Sequence, residues 1–177
     1  MNYDEFLERK THYAGEDGFD PVYIPSYLFD FQEELVRWSI KKGRAAIFAD
    51  CGLGKTLMQI VWADNVSRYS NGNVLILTPL AVSQQTIQEG KKFGIEVKRS
   101  RDGSVANNIT VTNYEQLEKF DPSDFVGVVC DESSILKNFS GAYRKQITQF
   151  MRKMRYRLLC TATAAPNDYT ELGTSSE

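Results

Sequence analysis

Two glycines, a lysine and a threonine stand in the order Gly52-Leu53-Gly54-Lys55-Thr56, directly after the apolar run Ala45 to Ala49 and the pair Asp50-Cys51. Residues of these types in this order suit an anionic ligand. Glycine lets the backbone turn tightly and come close, so that successive N–H groups and the positive end of a following helix face one phosphate chain. In such a loop the lysine reaches the β- and γ-phosphates, and the threonine hydroxyl sits on Mg²⁺. Lys55 and Thr56 take those places, and Asp50, Gly52, Leu53 and Gly54 form the cradle. By itself the stretch also fits a plain strand-turn-helix with a chance Gly-Lys-Thr.

A second set complements the first. Val128-Val129-Cys130 is an apolar strand that delivers two carboxylates, Asp131 and Glu132, at its C-terminal end, the edge where open α/β sheets bind ligands. Asp131 is the candidate for the Mg²⁺ shell. Glu132 is the candidate for orienting and deprotonating the water that attacks a γ-phosphate. A solvated Asp-Glu pair at a strand end is the plain alternative.

To hold these groups the chain has 177 residues, enough for one domain or one lobe with a full core. Hydrophobic residues are 42% and charged residues 25%, and 21 Lys+Arg against 23 Asp+Glu give a net charge of -2, an ordinary globular composition. Binding of nucleic acid would therefore need a local basic face. Cys51, Cys130 and Cys160 form no C-x-x-C pair, so neither a zinc site nor a disulfide framework is indicated. Each stands at or near a predicted strand end and reads as a small buried thiol. His12 is the single histidine and lies in a polar N-terminal stretch, which leaves Ser-His-Asp and Cys-His mechanisms almost nothing to work with. With Asp4, Glu5 and Glu8 at the N-terminus and no apolar run of spanning length, the expectation is a soluble protein of the cytoplasm.

The positioning elements alternate. After a short helix over residues 2 to 13 and an irregular stretch with Gly15, Gly18, Pro21 and Pro25, Asp30 and Glu33 stand in N-cap and N3 order. Phe31, Leu35 and Trp38, widened by Val36 and Ile40, form an apolar stripe ending at Gly43. Strands are expected at Ala45 to Ala49, Val74 to Leu77, Ile109 to Thr112, Val126 to Cys130 and Tyr156 to Cys160. Helices are expected from Lys55 to Ser70, Ala81 to Phe93, Tyr114 to Lys119 and Tyr143 to Met154. This order predicts an α/β fold, a mostly parallel sheet with helices on both faces.

From about Leu28 to Leu172 the chain resembles the first motor lobe of a superfamily 2 helicase, a RecA-like P-loop NTPase lobe. The likeness is closest to Swi/Snf-type translocases and phage helicase-like proteins. Ala49, Gly52, Gly54, Lys55 and Thr56 match the family's A-x-x-G-x-G-K-T loop. Phe31-Gln32 resembles its Q motif, which implies that Gln32 bonds the adenine edge while a neighbouring aromatic or Leu28 packs on the base. Thr78-Pro79-Leu80 and Thr112-Asn113-Tyr114-Glu115 resemble motifs along a nucleic-acid track, which implies contacts from Pro79, Leu80, Asn113 and Tyr114. Asp131-Glu132-Ser133-Ser134 with Lys137-Asn138 resembles D-E-x-H-x-x-K-N. Thr161-Ala162-Thr163 resembles the motif that couples hydrolysis to movement, continued by Asn167, Glu171 and Leu172. Ser134 replaces a histidine and Ala164 a proline; the Ser134 hydroxyl is expected to bond across to the coupling motif.

The resemblance implies a nucleic-acid-dependent ATPase using ATP and Mg²⁺, with DNA favoured over RNA by Lys137-Asn138. It also implies a lead-in over residues 1 to 27, the lobe over 28 to 177, and a second RecA-like lobe that this chain lacks. That lobe would supply an arginine finger contributing about 10³–10⁵ in rate, so the chain alone should turn over slowly. A phage-encoded origin in a bacterial host is compatible. Basic residues cluster at Lys91, Lys92, Lys98, Arg99, Arg101 and at Arg144, Lys145, Arg152, Lys153, Arg155, Arg157; a solvated helix face is the plain reading of both and the favoured one for the second, whose Ile147, Phe150 and Met154 give its helix an apolar side. Two other classes stay open, a nucleotide-binding switch without motion and a small-molecule kinase, although no segment suggests a kinase lid.

Overall fold

In the computed structural model, residues 17–162 are described; the helix expected over residues 2 to 13 lies outside them. Six strands alternate with helices: α1 (Asp30–Lys42), β1 (Arg44–Phe48), α2 (Lys55–Ser70), β2 (Val74–Thr78), α3 (Ser83–Lys92), β3 (Lys98–Arg99), β4 (Ile109–Asn113), β5 (Gly127–Cys130), α4 (Gly141–Arg152) and β6 (Tyr156–Thr161). Short 3₁₀ turns occupy Tyr114–Lys119, Pro122–Asp124 and Ser133–Asn138. The strands form one sheet in the order β1-β6-β5-β2-β4-β3, and every pairing is parallel. No helix among the described residues is long and apolar enough to cross a membrane.

The apolar runs explain the layering. Successive side chains of a strand point to opposite faces, so Val74 and Ile76 enter one core cluster and Leu75 and Leu77 the other. The first cluster holds Val36 and Ile40 of α1 with Met58, Trp62 and Val66 of α2; the second holds Tyr114, Leu117, Ile147 and Phe150. A strand covered on both faces needs no polar alternation, which is why β2 reads as a continuous hydrophobic run.

Several boundaries differ from the sequence expectation. Phe29, not Asp30, is the N-cap of α1, which puts Gln32 at N3 with its Oε1 accepting the Phe29 N–H at 3.1 Å. Glu33, freed from that role, pairs with Arg37 at 2.8 Å. The buried face of α1 is Gln32, Val36, Ser39 and Ile40, whereas Phe31 and Trp38 of the anticipated stripe are 43% and 44% exposed. The segment Tyr114–Lys119 is 3₁₀ rather than α, and Lys98–Arg99 of the first basic group form the edge strand β3. In α4 the expected amphipathic division holds, with Ile147 and Phe150 buried and Arg144 and Lys145 exposed.

Register places the functional ends on one edge. Phe48 lies opposite Thr161, Cys130 opposite both Leu77 and Leu159, and Thr78 opposite Asn113. The chain therefore leaves β1, β2, β4, β5 and β6 along the same rim. Ile76, fully buried in central β2, tests the two-sided core. Ile76→Ala should cost about 2–5 kcal/mol, read as a lower urea midpoint with an unchanged m-value.

Candidate nucleotide site

The loop after β1 is shaped by its glycines. Ala49 N–H still bonds Thr161 O at 3.2 Å, and the turn closes with Leu53 N–H on Asp50 O at 3.4 Å. Gly52 and Gly54 have φ of 82° and 75°, the left-handed region that disfavours a Cβ. At Gly54 space decides as well, because a Cβ would stand 2.4 Å from Gln32 Nε2. That amide bonds Leu53 O at 3.0 Å, so Gln32 ties the start of α1 to the loop and keeps capacity for one further donor and acceptor interaction. Lys55 opens α2 with its ammonium on Ala49 O at 2.7 Å and Asp50 O at 3.2 Å, which leaves one of its three N–H bonds for a ligand.

Across the cleft, Asp131 continues β5 through its N–H on Leu77 O at 2.8 Å. Its carbonyl accepts the Tyr114 hydroxyl at 2.7 Å, and its Oδ1 accepts Gln59 Nε2 at 2.7 Å. Burial pushes the Asp131 carboxyl above the ordinary range; the Gln59 hydrogen bond opposes this, and the adjacent Glu132 charge adds to it. Glu132 has φ 48° and ψ 53°, a left-handed conformation costing a non-glycine residue about 1–3 kcal/mol. Its Oε1 accepts Thr161 Oγ1 at 2.6 Å and Ser134 Oγ at 2.9 Å. Partial burial raises the Glu132 pKa, but those two hydroxyls and the Lys55 charge outweigh it, so the net shift is downward. Glu132 is thereby held as a carboxylate.

These groups line one cleft of about 380 Å³, with Cys51, Gly52, Gly54, Lys55, Thr56, Pro79, Val82, Gln85, Glu89, Asp131 and Glu132 on its walls. The donor set fits Mg²⁺. Thr56 and Asp131 offer hard oxygens, and no group of three or more His, Cys, Asp or Glu among the described residues forms a metal cage. Mg²⁺ is commonly held in this way, by one or two protein oxygens together with phosphates and water.

The sequence-derived residues divide into those brought to the cleft and those placed elsewhere. Lys55, Thr56, Gly52, Gly54, Asp131 and Glu132 meet there. Asp50 and Leu53 are exposed on the loop beside them. Leu28, offered as a base-packing residue, is buried, whereas Phe29 and Phe31 are exposed with nearly parallel rings 6.2 Å apart. Pro79 lines the cleft and Leu80 is 65% exposed. Asn113 is buried, with its amide on Glu115 Oε2 at 2.6 Å.

Tyr114 corrects an expectation. It is fully buried, its hydroxyl is spent on Asp131, and its own carbonyl accepts the Tyr143 hydroxyl, so its side chain is a support of the strand end and not a nucleic-acid contact. Among the described residues Ser134 meets the coupling motif through Glu132 Oε1, where the Thr161 hydroxyl also arrives. Thr163, Ala164, Asn167, Glu171 and Leu172 lie outside the described residues. Cys51 is exposed, contrary to the buried reading, while Cys130 and Cys160 are buried; burial pushes the Cys130 thiol up to about 12.

Gln59, Gln85 and Glu89 escaped the sequence reading. Their only signal was spacing. Gln59 is one turn after Lys55, and Gln85 and Glu89 are i, i+4 on α3, so each pair shares a helix face.

A six-stranded parallel sheet with helices on both faces and a glycine loop at its C-terminal rim is the fold of a RecA-like helicase lobe. Within that class it is similar in structure to the UvsW helicase from bacteriophage T4, with a TM-score of 0.70 at 14% identity over 94% of this chain and 64% of that one. It is also similar to the Sulfolobus solfataricus SWI2/SNF2 ATPase core in complex with dsDNA, with a TM-score of 0.66 at 22% identity over 87% of this chain and 36% of that one.

In sequence it is 25% identical over 163 residues to SWI/SNF-related matrix-associated actin-dependent regulator of chromatin subfamily A-like protein 1 of Xenopus tropicalis. The protein of the same name from Xenopus laevis is 26% identical over 159 residues. These alignments cover 85% and 83% of this chain but 17% and 16% of the relatives, so the chain spans about a sixth of their length. No protein-family model matches the chain. The resemblance inferred from the motifs, to superfamily 2 lobes near the Swi/Snf and phage helicases, is the one these comparisons return.

Burial of Asp131 has a measurable consequence. A carboxyl whose folded pKa lies above its unfolded value favours folding below that unfolded value, and the benefit is lost as pH rises through the folded one. Asp131→Asn, tested without nucleotide or metal, should therefore stabilise the protein at pH 7. Urea unfolding across pH should show the gain shrinking towards acid, where Asp131 is protonated in both states.

Proposed function

We propose that this chain is the ATP-binding lobe of a nucleic-acid-dependent ATPase that works as a helicase or a duplex DNA translocase when joined to a second RecA-like lobe. The observation that carries the proposal is the convergence of Lys55, Thr56, Asp131 and Glu132 on one cleft, with Thr161 bonded to Glu132 Oε1. The loop N–H groups and Lys55 would bind the phosphates, and Thr56 and Asp131 would hold the metal. When bound, Mg²⁺ neutralises charge on the β- and γ-phosphates.

Glu132 orients the attacking water and accepts its proton, for which a carboxylate kept charged by hydroxyl donors is suited. A hydroxyl of the coupling segment on the catalytic carboxylate gives a physical route from the chemical state of Glu132 to the position of β6. Gln32, already fixed to Leu53 O, presents its remaining amide capacity to the adenine edge, with exposed Phe29 and Phe31 nearby.

Nucleic acid would run along the rim past Pro79, Leu80 and the backbone at Asn113, with contacts to phosphate rather than to bases. Duplex DNA is favoured because the similar SWI2/SNF2 core is a complex with dsDNA. A second lobe is supported by the share of the relatives that this chain spans, and it would bring the arginine that completes phosphoryl transfer. Likeness to a phage helicase favours a phage-encoded protein working in the bacterial cytoplasm.

Two variants test the scheme. Isothermal calorimetry should show Mg-ATP binding to the chain and none to Lys55→Ala; equal affinity in both would remove the phosphate-loop assignment. In a chain that also carries a second lobe, Glu132→Gln should bind ATP as wild type does and lose DNA-stimulated turnover by at least about 10²-fold, because an amide cannot take the proton. Full turnover in that variant would give the water to another residue.

A further inference from the structure

We infer that Gln59 is a positioning residue that aims the Asp131 carboxylate into the cleft and thereby sets how tightly a divalent cation is held with nucleotide. The inference rests on reading the cleft as a Mg-nucleotide site. Lys55, Thr56 and Gln59 follow at i, i+1 and i+4 on α2, so the residue one turn after the lysine faces the same way. Asp131 is held on both sides of its main chain, by its N–H on Leu77 O at 2.8 Å and by the Tyr114 hydroxyl on its carbonyl at 2.7 Å. What remains free is the rotation of its side chain, and Gln59 Nε2 on Oδ1 at 2.7 Å removes it. With Oδ1 engaged by Gln59 and Asp131 lining the cleft, Oδ2 is the oxygen offered to a ligand.

Stability does not account for an amide at this place. Gln59 is fully buried and its Oε1 has no hydrogen-bond partner among the described residues, a loss that an apolar side chain of similar size would avoid. The amide cannot be reversed to relieve it, because Oε1 would then face Oδ1, acceptor against acceptor. Besides a contact with the Cys160 thiol, the polar bond that Gln59 makes is to the Asp131 carboxylate.

The test separates metal from nucleotide. Binding of a non-hydrolysable ATP analogue is measured by calorimetry in chelator and across a MgCl₂ series, for wild type, Gln59→Leu, Asp131→Asn and the double variant. Gln59→Leu should raise the Mg²⁺ concentration for half-maximal enhancement about tenfold, the size of one lost hydrogen bond to a charged acceptor, with affinity in chelator unchanged. Asp131→Asn should abolish the enhancement, and adding Gln59→Leu to it should change nothing more. A wild type whose nucleotide affinity is enhanced by Mg²⁺, beside a Gln59→Leu with the same half-saturation, overturns the role of Gln59 and leaves the site standing. Equal weakening in chelator and in Mg²⁺ would make Gln59 structural and overturn it too. No nucleotide binding by wild type overturns the site itself. Gln59→Asn, whose amide is one methylene too short, carries the same readout if Gln59→Leu does not fold; failure of both to fold would also make the residue structural.

Discussion

Parallel pairing is the constraint on which the rest depends. When strands run the same way, each must return by a crossover, and the loops that follow the strands collect on one rim. Here that rim receives the glycine loop after β1, Pro79 after β2, Asn113 at the end of β4, Asp131 and Glu132 after β5, and Thr161 at the end of β6. The site is thus assembled from segments as far apart along the chain as Ala49 and Thr161, which meet in one hydrogen bond. The strand order β1-β6-β5 puts β6 between the glycine loop and the two carboxylates. Thr161 can then bond Glu132 through its hydroxyl and Ala49 through its carbonyl.

The same rim is where the fold accepts local costs. Asp131 is a carboxyl that burial disfavours in its charged form, and Glu132 adopts a left-handed backbone. Gln59 leaves a buried acceptor without a partner among the described residues. Such departures cluster at sites where geometry serves a ligand and not the apo protein. The two-sided apolar core, with Trp62, Ile76, Leu75 and Val129 fully buried, is what can sustain them.

The helix α1 illustrates how far pattern reasoning reaches. Two stripes of helical period overlap in its sequence, Phe31-Leu35-Trp38 and Gln32-Val36-Ser39-Ile40. Hydrophobicity favours the first, which contains two large aromatic residues, yet the structure buries the second. The polar members of the buried stripe are satisfied locally, Ser39 Oγ on Val36 O at 2.9 Å and Gln32 on Phe29 N and Leu53 O. A polar residue whose bonds are made within its own neighbourhood can be buried at little cost, and that bonding is not visible as hydropathy. Tyr114 is the converse case. Beside Asn113 it resembled part of a surface track, but its ring fills the second core cluster and its hydroxyl serves Asp131.

Type and spacing along the chain were sufficient for the alternating elements, the parallel sheet, the glycine turn after β1 and the placing of the Asp-Glu pair at a strand end. Each of these rests on interactions within a few residues or on a simple period: glycine at positive φ, apolar runs for strands covered on both faces, a helix that opens at Lys55. Only the tertiary structure decided which face of α1 is buried, that Tyr114 supports Asp131, that Ser134 and Thr161 share one oxygen of Glu132, and that Gln59 takes one oxygen of Asp131. Those contacts join residues from 2 to 72 positions apart. Their existence depends on ångström-level placement across the sheet, and no period or composition in a linear sequence carries that.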